Sequence, residues 1–111
     1  MAYVPDRTDV VWISLRPQIG REQAGRRPAL IMSSSDYNGR VGLCVLCPIT
    51  NKQKGYAYEV LIPFGLSVTG VVMADQVKSV DWQGRDIEYI DRMPPAVVTE
   101  VFEFVVSLIE T

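Results

Sequence analysis

The chain contains no histidine. That absence removes triads built on an imidazole base, the histidine acid–base pair used by some nucleases, and nearly all zinc sites. Cysteine is almost as scarce, with Cys44 and Cys47 alone. Their C-x-x-C spacing invites a redox or metal reading. However, they sit in the most apolar run of the chain, Val41 to Ile49. Three steps along an extended strand separate Cα atoms by roughly 10 Å and send the side chains to opposite faces, beyond disulfide reach. The thiols therefore read as core packing. There is no glycine-rich phosphate loop with its lysine, so nucleotide hydrolysis has no support. No apolar run approaches the roughly 18 residues that span a bilayer. The opening Met1-Ala2-Tyr3-Val4-Pro5-Asp6 lacks the basic-then-apolar pattern of an export signal. The expectation is a cytoplasmic protein without a membrane partner.

What is present is enough for one domain covering residues 1–111, since 111 residues at 48% hydrophobic content bury a core without disulfides or metal. Charge is uneven. The net charge is −2, but residues 16–54 carry +5 while residues 55–111 carry −6. Such segregation lets one face attract a polyanion while the rest keeps the protein dispersed, provided that it survives folding.

Periodicity predicts many short strands. Val10 to Leu15 alternates as a strand covered on both sides, and Pro28 to Ser33 reads as a second, antiparallel strand. Ser34 to Arg40 has turn chemistry with room for a short helical turn, Asn38-Gly39 supplying positive φ. Val41 to Ile49 should be a central strand, stopped or bent near Pro48. Tyr58 to Ile62 alternates. Gly70 to Ala74 and Gln76 to Val80 follow as one bent strand or two meeting at Asp75, with a weak strand over Ile87 to Ile90. From Pro94 the period changes: Val97, Val98, Val101, Phe102, Phe104, Val105, Leu108 and Ile109 recur at three- and four-residue spacing. That is an amphipathic helix of about 16 residues, with both prolines in its first turn. The fold class is mainly β with a C-terminal helix, a small barrel or sandwich whose open side the helix plugs.

The connection between the first two strands carries the most chemistry. Gly20-Arg21-Glu22-Gln23-Ala24-Gly25-Arg26-Arg27-Pro28 packs three arginines, a carboxylate, an amide and two glycines into nine residues. Glycines let backbone approach a ligand, and guanidinium forks match phosphate oxygens. The alternative is a solvated hairpin loop whose arginines merely keep it in water.

Three blocks in order settle which family this pattern resembles. Glu22-Gln23-Ala24-Gly25-Arg26-Arg27-Pro28, then Cys47-Pro48-Ile49-Thr50 with Lys54-Gly55-Tyr56, then Ala74-Asp75-Gln76-Val77-Lys78-Ser79 resemble the MazF branch of the MazF/PemK toxins over nearly the whole chain. The resemblance implies an SH3-like barrel, a homodimer, and an endoribonuclease that cuts single-stranded RNA in a sequence-specific way without metal or cofactor. It also implies a cognate MazE-like antitoxin. By the same resemblance Arg27 matches the catalytic arginine before the proline and Thr50 the threonine after the Pro-x pair, while Glu22 and Gln23 match loop residues near the cut. Arg26 and Ile49 depart from the residues often found there, which makes the local substrate contacts less secure than Arg27.

The chemistry accommodates these roles. RNA supplies its own nucleophile, the 2′-OH, so the protein need only align it, move a proton and stabilise charge on the phosphoryl oxygens. Arg27 is too weak an acid to serve as a base and suits the phosphate. Thr50 would donate to the same phosphate. Glu22 either accepts the 2′-OH proton or orders the loop by pairing with Arg21 or Arg26. Gly25, Arg26, Gln18, Gln23, Asn51, Lys54, Gln76 and Lys78 are the expected substrate contacts. Two other readings share the barrel: a toxin that binds a DNA topoisomerase, and a noncatalytic SH3-like module for RNA or protein.

Overall fold

The structure is a computed structural model and describes residues 2–15 and 25–110. Its strands are β1 (Asp9–Ser14), β2 (Arg26–Ile31), β3 (Leu43–Thr50), β4 (Glu59–Leu61), β5 (Val71–Met73), β6 (Lys78–Asp81) and β7 (Glu88–Arg92), with helices α1 (Ser35–Val41) and α2 (Pro95–Glu110). The strands form one curled antiparallel sheet in the order β4-β5-β3-β2-β1-β7, and β6 also pairs with β3. The barrel is not closed by a ladder between β4 and β7. Instead, Ser67 in the β4–β5 connection donates its backbone N–H to Asp91 Oδ2 on β7 at 2.8 Å.

β3 is the hub, as its unbroken apolar character predicts. One edge pairs with β2; the other pairs first with β6 over Leu43 to Leu46 and then with β5 over Ile49 and Thr50. Of the stop or bend expected near Pro48 the stop does not occur: β3 runs on to Thr50 and changes neighbours between Leu46 and Ile49. Met32 N–H donates to Val45 O across the β2–β3 pair, and hydrogen-bonded pairs alternate along an antiparallel ladder. Position 48 therefore faces its missing N–H away from β2, into the gap where β3 changes neighbours, so no ladder bond is lost.

Alternation along the strands divides the core in two. Val10, Leu30, Cys47, Ile49, Val60 and Val72 share one cluster with Val98 and Val101 of α2. Val11, Ile13, Leu15, Ala29, Ile31, Cys44 and Leu46 share the other with Val80 and Trp82. The two cysteines thus lie on opposite faces, as the spacing requires, and burial pushes both thiols up to about 12. The helix α2 covers the first cluster by packing on β4 and on the single 3-10 turn Ala74–Gln76 that separates β5 from β6. The Pro94 carbonyl accepts from the Val97 and Val98 amides to start it.

The second cluster is roofed by the N-terminal segment and α1. Here the short helical turn allowed over Ser34 to Arg40 is found as α1, while the positive φ expected at Asn38-Gly39 is not. Ser34 caps α1, its Oγ accepting from the Tyr37 amide, and the left-handed residue is the C-cap Gly42 at φ +81° rather than Gly39. Asn38 is fully buried. Its Nδ2 donates to Pro5 O at 2.7 Å and to Ser33 O at 3.1 Å, and its Oδ1 accepts from Ser33 Oγ at 2.6 Å. Its carbonyl accepts from Trp82 Nε1 at 3.0 Å. One amide side chain thereby ties α1 to the N-terminal segment, and its peptide ties α1 to the end of β6.

Candidate active site

The first and second sequence blocks meet across β2 and β3. Ala29 pairs with Pro48, Leu30 with Cys47 and Ile31 with Leu46; Arg27 precedes this ladder by two residues and Thr50 follows it by two, so both stand at the same end of it. On the other side Arg27 pairs with Ile13 of β1. Leu15 N–H donates to Gly25 O at 2.8 Å, so by alternation the peptide groups of Arg27 are turned towards β1. Residues directly opposite one another project from the same face. By alternation with Ala29 and Ile31 on β2 and with Leu46 on β3, Arg27 and Thr50, separated by a helix and most of two strands in sequence, project from one face at the same end of the ladder.

Thr50 is a fixed point. It is 6% exposed, and its Oγ1 accepts from the Lys52 amide at 3.1 Å, which leaves the hydroxyl proton for another acceptor. Gly70 presses on it from β5's side. At φ +105°, with a hypothetical Cβ only 2.1 Å from Thr50 O, position 70 admits nothing larger than hydrogen. Next to it Thr69 Oγ1 donates to Asn51 Oδ1 at 2.7 Å. Asn51, expected to reach substrate, is therefore held by its neighbour at the mouth of the β3–β4 connection.

Lys54 lies further along that connection, exposed, with its amide and that of Gly55 donating to the Glu59 carboxylate. Lys78 opens β6 opposite Leu46, which puts it on the same face as Thr50, about 13 Å along β3. Gln76 ends the 3-10 turn and its Nε2 makes a weak contact to Met73 Sδ at 3.6 Å. Three of the expected residues, Arg27, Thr50 and Lys78, thus share one face by alternation.

Arg26 is placed differently. Its Nη1 donates to the Asp86 carbonyl and contacts Asp86 Oδ2 at 3.2 Å, while its Nη2 meets Glu88 Oε1 at 2.8 Å. Alternation turns it to the other face from Arg27, and the acidic half of the chain supplies both its partners. Expected among the substrate contacts, it instead joins the start of β2 to the β6–β7 connection. Arg85, which sequence reasoning did not single out, lies beside this junction. It exchanges bonds with Ser14, accepting the Ser14 amide at its carbonyl and donating Nη1 to Ser14 O at 3.2 Å. An open recess of about 350 Å³ is lined by Ser14, Asp81, Gly84 and Arg85. The only hint in the sequence was a basic residue in a Gly-containing turn. Gly25 has φ +78°, a left-handed backbone that glycine adopts without strain. Glu22, Gln23 and Gln18 lie outside the described residues. Among the described residues no group of three or more Cys, Asp or Glu side chains is arranged to hold a metal ion.

The family model for the PemK-like, MazF-like toxin of type II toxin–antitoxin systems matches residues 6–108. The chain belongs to this family. Among curated members, the MazF-like chain is 46% identical over 83 residues to the endoribonuclease toxin MazF of Escherichia coli K12, covering 75% of this chain and 74% of that one. It is 33% identical over 101 residues to the endoribonuclease PemK of Escherichia coli, covering 86% and 75%. Its backbone is similar to the crystal structure of MazF from Deinococcus radiodurans, with a TM-score of 0.95 at 45% identity over 99% of this chain and 100% of that one. A MazE–MazF complex from the same organism gives 0.89 at 45% identity over 99% of both chains. The expected fold, mainly β with a C-terminal helix in the MazF manner, is the fold observed.

Proposed function

We propose that this MazF-like toxin is an endoribonuclease that cuts single-stranded mRNA at a specific sequence by attack of the substrate's own 2′-OH, without a metal ion. Its family and the endoribonuclease relatives at 46% and 33% identity support the enzyme class. The observation that supports the chemistry is that β2 and β3 pair antiparallel up to Ala29 and Pro48, which leaves Arg27 and Thr50 at the same end of that ladder on one sheet face.

Arg27 binds the non-bridging oxygens of the scissile phosphate and neutralises the charge that builds there as the 2′-oxygen attacks. The Thr50 hydroxyl donates to the same phosphate from a backbone that Gly70 holds in place, so little reorganisation is needed during the reaction. The 2′-oxygen to phosphorus bond forms as the bond to the 5′-oxygen breaks. The proton leaves the 2′-OH to a base, for which Glu22 is the nearby carboxylate in sequence, and a proton returns to the departing 5′-oxygen. The products are a 2′,3′-cyclic phosphate and a 5′-hydroxyl. Lys78 and Lys54 hold phosphates along the groove, and Gln76 and the Asn51 amide nitrogen read base edges. The working unit is a homodimer, and a MazE-like antitoxin inhibits it by laying an acidic segment into the same basic groove; MazF relatives have been solved with MazE.

The test is incubation of the purified chain with mixed-sequence RNA in excess EDTA, followed by sequencing and chemical typing of the new ends. Cuts within a common sequence, bearing 2′,3′-cyclic phosphate and 5′-hydroxyl termini, are expected. Uncut RNA would overturn the enzyme reading in favour of a binding role, and 3′-hydroxyl ends would overturn the mechanism.

A further inference from the structure

The β3–β4 connection leaves the site at Thr50 and carries an aromatic ring for which the cleavage chemistry has no use. Tyr56 is 60% exposed, yet the loop that bears it is braced. The Glu59 carboxylate accepts the Lys54 amide at 3.1 and 3.2 Å and the Gly55 amide at 2.9 Å. Two successive amides converge on one anion there because Gly55 takes φ +77°, the kind of backbone concavity that binds carboxylates and phosphates. Glu59 in turn donates its own amide to Tyr56 O at 3.1 Å, closing the turn. At the loop's origin, Thr69 and Gly70 hold Asn51 and Thr50. The Lys54 ammonium stands over the Tyr56 ring, 5.9 Å from its centroid, so a cation backs a ring that is otherwise largely in water.

A large apolar ring held out in water beside a cation, on a braced loop that starts at the reacting phosphate, suits one ligand chemistry. Unpaired bases stack on such rings, and the neighbouring cation favours the phosphate that accompanies each base. We propose that Tyr56 is a stacking platform for one unpaired nucleobase next to the cut, and that Glu59 is the positioning residue that sets it. The proposal rests on the ribonuclease reading. Because every base has a π-face, the platform contributes affinity and register rather than base identity.

Binding and turnover are measured separately on the full chain. A labelled single-stranded oligonucleotide with deoxyribose at the scissile nucleotide reports Kd by anisotropy, and the matching RNA reports kcat and KM. Tyr56→Ala is expected to weaken Kd and raise KM about ten-fold, with kcat within about two-fold and an unchanged melting temperature, as befits an exposed side chain. Tyr56→Phe and Tyr56→Trp keep the stack and should restore both constants. Glu59→Ala should raise KM in the wild-type background and add nothing in Tyr56→Ala, because its effect runs through the ring. An abasic site scanned along the oligonucleotide should cost the wild type that same factor at one position and leave Tyr56→Ala indifferent there. Unaltered Kd in Tyr56→Ala, or a Tyr56→Phe as weak as the alanine variant, would overturn the platform. An additive Glu59 effect would remove Glu59 from it. If the wild type cuts no RNA, the ribonuclease reading falls, whereas cutting by wild type with indifferent Tyr56→Ala sinks the platform alone.

Discussion

Gly70→Ala tests whether the placement of Thr50 matters. A Cβ at position 70 would lie 2.1 Å from Thr50 O, 2.8 Å from Thr50 C and 3.0 Å from Asn51 Cα. Relief to the 3.0 Å below which such contacts are not tolerated requires one of the two backbones to move by about 1 Å. The substitution also forces an L-residue to φ +105°. Strain and overpacking together cost about 3 kcal/mol, or about 12 °C in melting temperature for a domain of this size. A displacement of about 1 Å at a phosphate-binding hydroxyl costs on the order of 100-fold in kcat. The assay is thermal melting by circular dichroism with cleavage kinetics well below the melting transition. Gly39→Ala is the control: it lies inside α1, its Cβ would meet Val4 Cγ1 at an ordinary 3.5 Å, and it should stabilise by about 0.5–1 kcal/mol without affecting kcat. A Gly70→Ala protein with wild-type kcat would refute the claim that Gly70 fixes the catalytic hydroxyl.

Three further outcomes follow from the structure. Asn38→Ala removes a buried amide that donates to two carbonyls and accepts from Ser33, and should lower stability by about 2–4 kcal/mol in urea titration while the remaining folded protein keeps its kcat. The Asp6 carboxyl is held below the usual carboxylate range, first by the Ser35 amide and then by that of Arg7. A depressed folded value means the stabilisation is present above the ordinary carboxylate range and is lost as pH falls through the folded value. The melting difference between wild type and Asp6→Asn should therefore be present at neutral pH and close in acid; a difference independent of pH would show that the charge is not what stabilises. Cys44 and Cys47, raised to about 12 by burial on opposite faces, should resist alkylation at pH 8 in native buffer and react within the mixing time once unfolded.

What was legible in the sequence was whatever depends on local periodicity or on motif order. The three- and four-residue spacing after Pro94 predicts α2, found at Pro95–Glu110. The separation of Cys44 from Cys47 follows from the pleat alone. The chain's break near Asp75 appears as the 3-10 turn between β5 and β6. Local signals failed where tertiary bonds outvoted them. Asn38-Gly39 has turn chemistry, but the Asn38 amide finds better partners on Pro5 and Ser33, and the helix continues to a left-handed Gly42. Pro48 reads as a stop or a bend, and β3 passes through it because its two-partner edge leaves a gap there. Arg26 belongs by composition with its neighbour Arg27, but the pleat sends adjacent residues to opposite faces, and Asp86 and Glu88, some 60 positions on, claim it. Such long-range acid partners have no signature in a local window. That Arg27 and Thr50 lie at the same end of the β2–β3 ladder likewise comes only from the sheet, although the motif order had named both residues.

The central claim is that Arg27 and Thr50 act on one phosphodiester. It is tested most directly by single-turnover cleavage of one RNA by wild type, Arg27→Ala, Thr50→Val and the double variant, with Thr50→Ser as the check that a hydroxyl suffices. Groups that work as a unit give non-additive losses. The expected result is a double variant within a few-fold of Arg27→Ala, near-normal cleavage by Thr50→Ser, and native melting for Arg27→Ala. Losses that multiply in the double variant, or an Arg27→Ala protein that still turns over RNA, would contradict it.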